Sequence, residues 1–145
     1  MQNDTEKRVI ILRGPSGSGK STKAKELVAK EPDSIIHSTD DYFGIGNEYK
    51  FDPSKLGMYH QLNYTSFVSS LSRGVKLVVV DNTNLSAWEY QRYAESAKNC
   101  GYTVQIVNMP ILPPEILAER NVHGVPLDSI KRMVNKYKNT VEVDK

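Results

Sequence analysis

Between a short apolar run and a helix-forming stretch, the chain reads Gly14-Pro15-Ser16-Gly17-Ser18-Gly19-Lys20-Ser21-Thr22. The spacing is G-x-x-x-x-G-K-[ST], the phosphate-binding P-loop. Each residue type has a physical reason. Phosphate oxygens need several backbone N–H groups pointing inward, and glycines let the chain curl tightly enough to present them. Lys20 is expected to reach the terminal phosphates and the Ser21 hydroxyl to hold Mg²⁺. The residues after Lys20 read as helix, so a helix N-terminus also faces the anion. A nucleoside triphosphate is the predicted ligand, and the fold must place a strand before this loop and a helix after it.

The remaining chain is read within that constraint. Its 145 residues suit a single domain, 1–145, with a buried core. The net charge of +2 is too small to argue for nucleic acid alone, and Cys100 is the single cysteine, which fits a reducing compartment. The polar, acidic start of the chain does not fit a secretory signal, and no apolar run approaches membrane-spanning length. A soluble, cytoplasmic protein is expected.

Strands are predicted at 8–13, 34–37, 75–81 and 103–108, alternating with helices after the P-loop, at 53–72, 87–100, 113–120 and 128–138. Asp52-Pro53 offers a cap and a proline for the second helix, with Leu56, Tyr59, Leu62, Phe67, Val68 and Leu71 on its buried side. Ser86-Ala87-Trp88-Glu89 fits a capping box, followed by Ala87, Tyr90, Ala94 and Ala97 on one face. Residues 140–143 read as a small final strand or a fraying tail. Alternating strands and helices require parallel pairing through crossovers, hence an α/β, three-layer α/β/α sandwich with a mostly parallel sheet.

Ligands in such sheets gather beyond the carboxyl ends of the strands. The P-loop, Asp40-Asp41, Asp81-Asn82-Thr83-Asn84 and a C-terminal lid at about 119–127 all fall at or after such ends. Phosphoryl transfer needs a group to take the acceptor's proton, and Asp40 or Asp41 is placed for it. On an extended chain the two point opposite ways, so one faces the cleft. Asp81 ends a valine-rich strand, where a carboxylate orients hydrated Mg²⁺ together with Ser21. Arg120 is a candidate charge clamp over the phosphates. His60, with Asn63, Tyr64 and Phe67, forms a polar and aromatic stripe able to hold an acceptor; the competing reading is core with a polar edge. His123 reads equally as an exposed loop tip or a functional group. Lys131, Arg132, Lys136 and Lys138 read as a solvated basic face.

The ordered set of Gly14 to Thr22, Thr39-Asp40-Asp41-Tyr42, Asp81-Asn82-Thr83-Asn84, then Arg120-Asn121 and Val125-Pro126 resembles the polynucleotide 5′-hydroxyl kinase group of P-loop kinases. Within it, Tyr49-Lys50-Phe51-Asp52-Pro53 and Arg120-Asn121-Val122-His123-Gly124-Val125 look like the small kinase domain of the Nedd4-binding-protein type. The resemblance implies Asp40 as general base, Lys20 and Ser21 at the triphosphate and Mg²⁺, and Arg120 as a lid arginine. Phe43 stands where phage-type kinases carry an arginine for the acceptor's phosphate, and His123 where they carry a second lid arginine. Asp41, Phe43, His60, Asn84 and His123 are the candidate acceptor-side residues. No Asp-x-Asp-x-Thr occurs in these residues, so a 3′-phosphatase is not expected within them.

The expected activity is ATP- and Mg²⁺-dependent phosphorylation of a 5′-hydroxyl on DNA or RNA. A small-metabolite or nucleoside kinase is the alternative within the enzyme class, and an ATP-binding interaction module without turnover the alternative outside it.

Overall fold

A computed structural model describes residues 6–44, 48–121 and 123–143. Residues 45–47 of the expected polar loop and Val122 of the expected lid lie outside the described residues.

Four strands, β1 (Arg8–Arg13), β2 (Ser34–His37), β3 (Leu77–Asp81) and β4 (Thr103–Asn108), form one sheet in the order β2-β3-β1-β4. Every pairing is parallel, with Leu12 beside Asp81, His37 beside Val80 and Arg13 beside Asn108. Crossovers are supplied by α1 (Lys20–Ala29), α2 (Leu56–Ser72) and α3 (Ala87–Asn99). Two further helices, α4 (Pro114–Arg120) and α5 (Leu127–Val143), follow β4.

Because side chains alternate along a strand, β1 and β3 feed two cores. Val9, Ile11, Val78 and Val80 pack with Phe67 and Leu71 of α2 and Tyr90, Tyr93, Ala94 and Ala97 of α3. Ile10, Leu12, Leu77 and Val79 pack with Ala24 of α1. Burial on both faces is why β3 reads as a continuous apolar run. The outcome is the expected three-layer α/β arrangement.

Several local expectations are corrected. Leu62 lies 44% exposed, and the buried side of α2 is Asn63, Phe67, Ser70 and Leu71. Two polar residues can occupy it because each finds a partner: the Asn63 amide donates to the Tyr93 hydroxyl (3.2 Å), and Ser70 Oγ meets His37 Nε2 (2.8 Å). The Asp52 cap closes a 3-10 turn, Pro53–Lys55, and α2 proper starts at Leu56. In α3 the capping box forms as expected, but Ala87 is exposed and Tyr93 takes its place in the core. Residues 140–143 continue α5 as helix rather than forming a strand.

Candidate active site

The P-loop leaves β1 at the carboxyl edge of the sheet and closes onto α1. Gly17 and Gly19 have φ of 84° and 95°, where a side chain is strained, and a Cβ on Gly17 would fall 2.3 Å from the Leu117 carbonyl oxygen. The loop is thus packed against the end of α4. Lys20 Nζ donates to the Pro15 carbonyl (3.0 Å), curling back over the loop. Ser21 Oγ donates to Asp81 Oδ2 (3.0 Å), joining the start of α1 to the end of β3. The Ser18 hydroxyl is buried inside the loop with no hydrogen-bond partner among the described residues.

Arg13, the last residue of β1, is 1% exposed. Its guanidinium donates to the carbonyls of Asn84 (2.7 Å) and Leu85 (3.0 Å) and to Asn108 Oδ1 (3.2 Å), and lies between the rings of Tyr90 and Tyr137. Asn84 has a positive φ of 48°, and its amide donates to the Leu12 carbonyl. The structure therefore places Asn84 within the support of the strand ends, 2% exposed, rather than on the cleft wall. Asn82 Oδ1 accepts from the Thr39 backbone N–H (2.9 Å) and ties the end of β3 to the segment carrying Asp40.

That segment, Thr39–Phe43, is a 3-10 turn and not the extended chain expected. Successive side chains then diverge by roughly 120° rather than pointing opposite ways. Asp40 and Asp41 consequently both act on Asp81 through their charge. Thr39 Oγ1 meets His60 Nδ1 at 3.0 Å, so His60 braces the turn from α2. Phe43 is buried against Tyr49, Phe51 and Tyr59. The Asp40 carboxylate is about half exposed (46%); His123 Nε2 lies 3.8 Å from its Oδ2, and the His123 ring stacks on Tyr49.

The electrostatics follow from burial and crowding. Burial pushes the Lys20 ammonium below its ordinary value, while Asp81 and Asp40 pull it back up. Burial raises Asp81, and Lys20 and the Ser21 hydrogen bond oppose that rise. Asp41 is raised by burial and then by Asp40. The Tyr49 hydroxyl is pushed up to about 12 by burial, then by the charge of Asp40 and its hydrogen bond to it. A lysine and three carboxylates thus share one charged cleft.

The structure brings Lys20, Ser21, Asp81, Asp40, Asp41 and His123 together. It holds Gly14 to Gly19 in the loop, and leaves Ser21 and Thr22 exposed at the start of α1. Arg120 is the exposed last residue of α4, with its neighbour's backbone nitrogen 3.2 Å from where a Gly17 Cβ would be. Its guanidinium makes no hydrogen bond or ion pair in the described residues. Residue-by-residue reading singled out neither Tyr49 nor Arg13. Tyr49 lies in a loop without periodicity, and Arg13 reads as the polar end of a strand. Asn121, marked in the sequence only as part of the Arg120-Asn121 motif, accepts through its side chain from the Val125 N–H (2.8 Å) and donates to the Ala118 carbonyl (2.8 Å), closing the segment between α4 and α5.

A parallel sheet whose strand ends gather a phosphate loop, a serine–carboxylate pair and a half-exposed carboxylate defines a kinase-type P-loop domain. The chain belongs to the AAA domain family, whose model matches residues 9–129. It is 37% identical to human NEDD4-binding protein 2 over 138 residues, which covers 93% of this chain but only 8% of that protein. Its fold is similar to a chain of the Pnkp1/Rnl/Hen1 RNA repair complex, with a TM-score of 0.75 at 21% identity over 97% of this chain and 47% of that one. It is also similar to a gluconokinase from Sinorhizobium meliloti 1021, with a TM-score of 0.57 at 19% identity over 89% of this chain and 74% of that one. No described helix is long and apolar enough to cross a membrane.

Proposed function

We propose that this domain transfers the γ-phosphate of ATP to the 5′-hydroxyl of a polynucleotide. The observation that carries the reading is the placing of Asp40, half exposed to an incoming acceptor and close enough to Lys20 and Asp81 to perturb both. A domain that only held nucleotide would have no use for a carboxylate there.

The residues present fit ATP and Mg²⁺. Ser18 Oγ is a buried donor without a partner, as a loop shaped for phosphate oxygens would leave it. Ser21 and Asp81 offer one hydroxyl and one carboxylate, and Mg²⁺ is usually held by one or two protein ligands, with phosphates and water completing its shell. When bound, Mg²⁺ supplies charge neutralisation across the β- and γ-phosphates.

The chain's own residues then divide the work. Backbone N–H groups of the P-loop fix the phosphates, and Lys20 neutralises charge at the terminal ones. Asp40 accepts the proton of the acceptor hydroxyl as its oxygen bonds to the γ-phosphorus and the bond to the β-γ bridging oxygen breaks, releasing ADP. Arg120, at the mouth of the loop, meets charge that grows on the phosphoryl oxygens.

The similarity to a gluconokinase fold keeps small alcohols among the acceptors to be tested. The deciding experiment offers labelled γ-phosphate to a 5′-hydroxyl oligonucleotide beside nucleosides and small alcohols. Transfer to the oligonucleotide, abolished in Lys20→Ala, is the expected result. Transfer only to a small alcohol would replace the acceptor, and no transfer at all would replace the enzyme by a nucleotide-binding module.

A further inference from the structure

The residues just after Asp40-Asp41 help line a groove of about 470 Å³ that the phosphate chemistry does not use. Tyr42, Phe43, Phe51 and Tyr59 line it together with Lys50 and Lys55. Phe43 is its buried floor, with ring centroids 5.0 Å from Phe51 and 4.7 Å from Tyr59; Tyr42 stacks on Tyr59 at 5.7 Å. Above that floor Phe51 is 52% exposed and Tyr42 38% exposed. Large aromatic faces are thus held in place by aromatic neighbours and turned to solvent.

The charge in the groove is set by two lysines against one carboxylate. Asp52 is engaged locally, its Oδ1 accepting from the Ser54 N–H (3.0 Å) and hydroxyl (2.7 Å). Lys50 is fixed through its backbone, whose N–H donates to the Phe43 carbonyl (2.9 Å). The groove is continuous with the catalytic cleft through a single side chain, since the Tyr49 ring packs on Phe43 at 6.1 Å while its hydroxyl meets Asp40.

Exposed aromatic faces flanked by cations are what a single-stranded nucleic acid requires: bases stack on the rings and phosphates pair with the ammonium groups. A proline-rich peptide also docks on aromatic faces, but it offers no anion to the two lysines. We propose that the groove is a single-strand subsite of the acceptor, in which a base just inside the 5′ end stacks on Phe51 and Tyr42 while the neighbouring backbone phosphate lies between Lys50 and Lys55. The proposal rests on the polynucleotide reading above and adds where the strand runs and what reads it. Stacking is indifferent to base identity, so the subsite confers a preference for strand length and single-strandedness rather than for sequence.

The test measures binding of a fluorescent, 5′-hydroxyl, eight-nucleotide single strand to the full chain, beside phosphate transfer to the same strand. Phe51→Ala should weaken binding at least about 5-fold, Phe51→Trp should restore it, and Phe51→Leu, which keeps apolar bulk but no ring, should not. The double variant Lys50→Ala/Lys55→Ala should lower the slope of log Kd against log salt by about 0.7, the figure for one lost phosphate contact. Lys98→Ala, an exposed cation at the far end of α3, should leave both unchanged. Thermal melts of each variant exclude unfolding as the cause. Parent-like binding by Phe51→Ala and the lysine pair, or a parent that binds no single strand at low salt, overturns the subsite. If those variants bind like the parent while the strand is still phosphorylated, the subsite fails and the kinase reading stands. If the parent binds through the groove but transfers nothing, the subsite stands and the kinase reading fails.

Discussion

The imidazole of His123 lies flat on the ring of Tyr49, with centroids 4.0 Å apart and planes 26° apart. One residue comes from the segment between α4 and α5 and the other from the loop before α2, so the stack is a clasp across the mouth of the cleft. It also brings the imidazole edge to Asp40. An aromatic pair of this kind is worth about 0.5–1.5 kcal/mol. His123→Ala should therefore raise KM for the acceptor roughly 2- to 12-fold at saturating ATP, and His123→Phe should recover much of it. Steady-state kinetics with the acceptor varied give the answer. A rise in KM for ATP alone would place His123 with the nucleotide instead.

Asp40→Asn should leave ATP affinity and thermal unfolding near parental values while lowering transfer about 10²–10⁴-fold, the usual cost of losing a general base. Asp41→Asn should cost less. Because the 3-10 turn lets both carboxylates influence Asp81, the two variants must be measured side by side. Undiminished transfer by Asp40→Asn, with loss in Asp41→Asn, would move the base by one residue.

Arg120 carries a different expectation. Exposed at the end of α4, it is proposed to meet charge that grows during transfer, so Arg120→Ala should lower kcat about 10²-fold or more with little change in ATP affinity. Arg120→Lys should rescue only in part, because a point charge lacks the planar fork. Normal kcat with weakened ATP binding would make Arg120 a nucleotide contact.

Acid should destabilise the fold through His37. Burial, followed by the Arg73 charge, pulls its pKa from 6.5 to about 4. The unfolded chain then binds the extra proton between those values, so this contribution is complete above pH 6.5 and is lost as pH falls toward 4. The amount is about 3 kcal/mol. His60, also lowered chiefly by burial, adds a smaller effect of the same sign. Urea melts across that range should show stability rising with pH, and His37→Gln should flatten the profile. An equally steep profile in that variant would assign the acid sensitivity elsewhere.

Sequence pattern reveals what depends on neighbours along the chain. The P-loop, the buried run of β3 and the Ser86–Glu89 capping box are written in residues within a few positions of one another, and all form as expected. Asn63 and Ser70 look polar and are core, because their partners Tyr93 and His37 sit on other elements. Leu62 looks like core and is exposed, because the true stripe of α2 passes beside it. Asp40 and Asp41 could be placed at the cleft from their position after β2, whereas their relative orientation depended on a 3-10 turn that no composition marks. Tyr49 against His123, and Arg13 against Asn84 and Tyr137, are products of the completed topology.

The guanidinium fan of Arg13 has a consequence for how the chain comes to be folded. Its donors reach residues 71, 72 and 95 positions away, and the Tyr137 hydroxyl donates to its carbonyl from 124 positions away. Such distant pairings are formed late, since each must first overcome the entropy of closing a long loop. Arg13 immediately precedes the phosphate loop, so the loop's anchor is completed only when the last helix docks. A chain folded only as far as β4 would therefore hold every residue of the phosphate loop and still lack the Tyr137 contact that fixes its base.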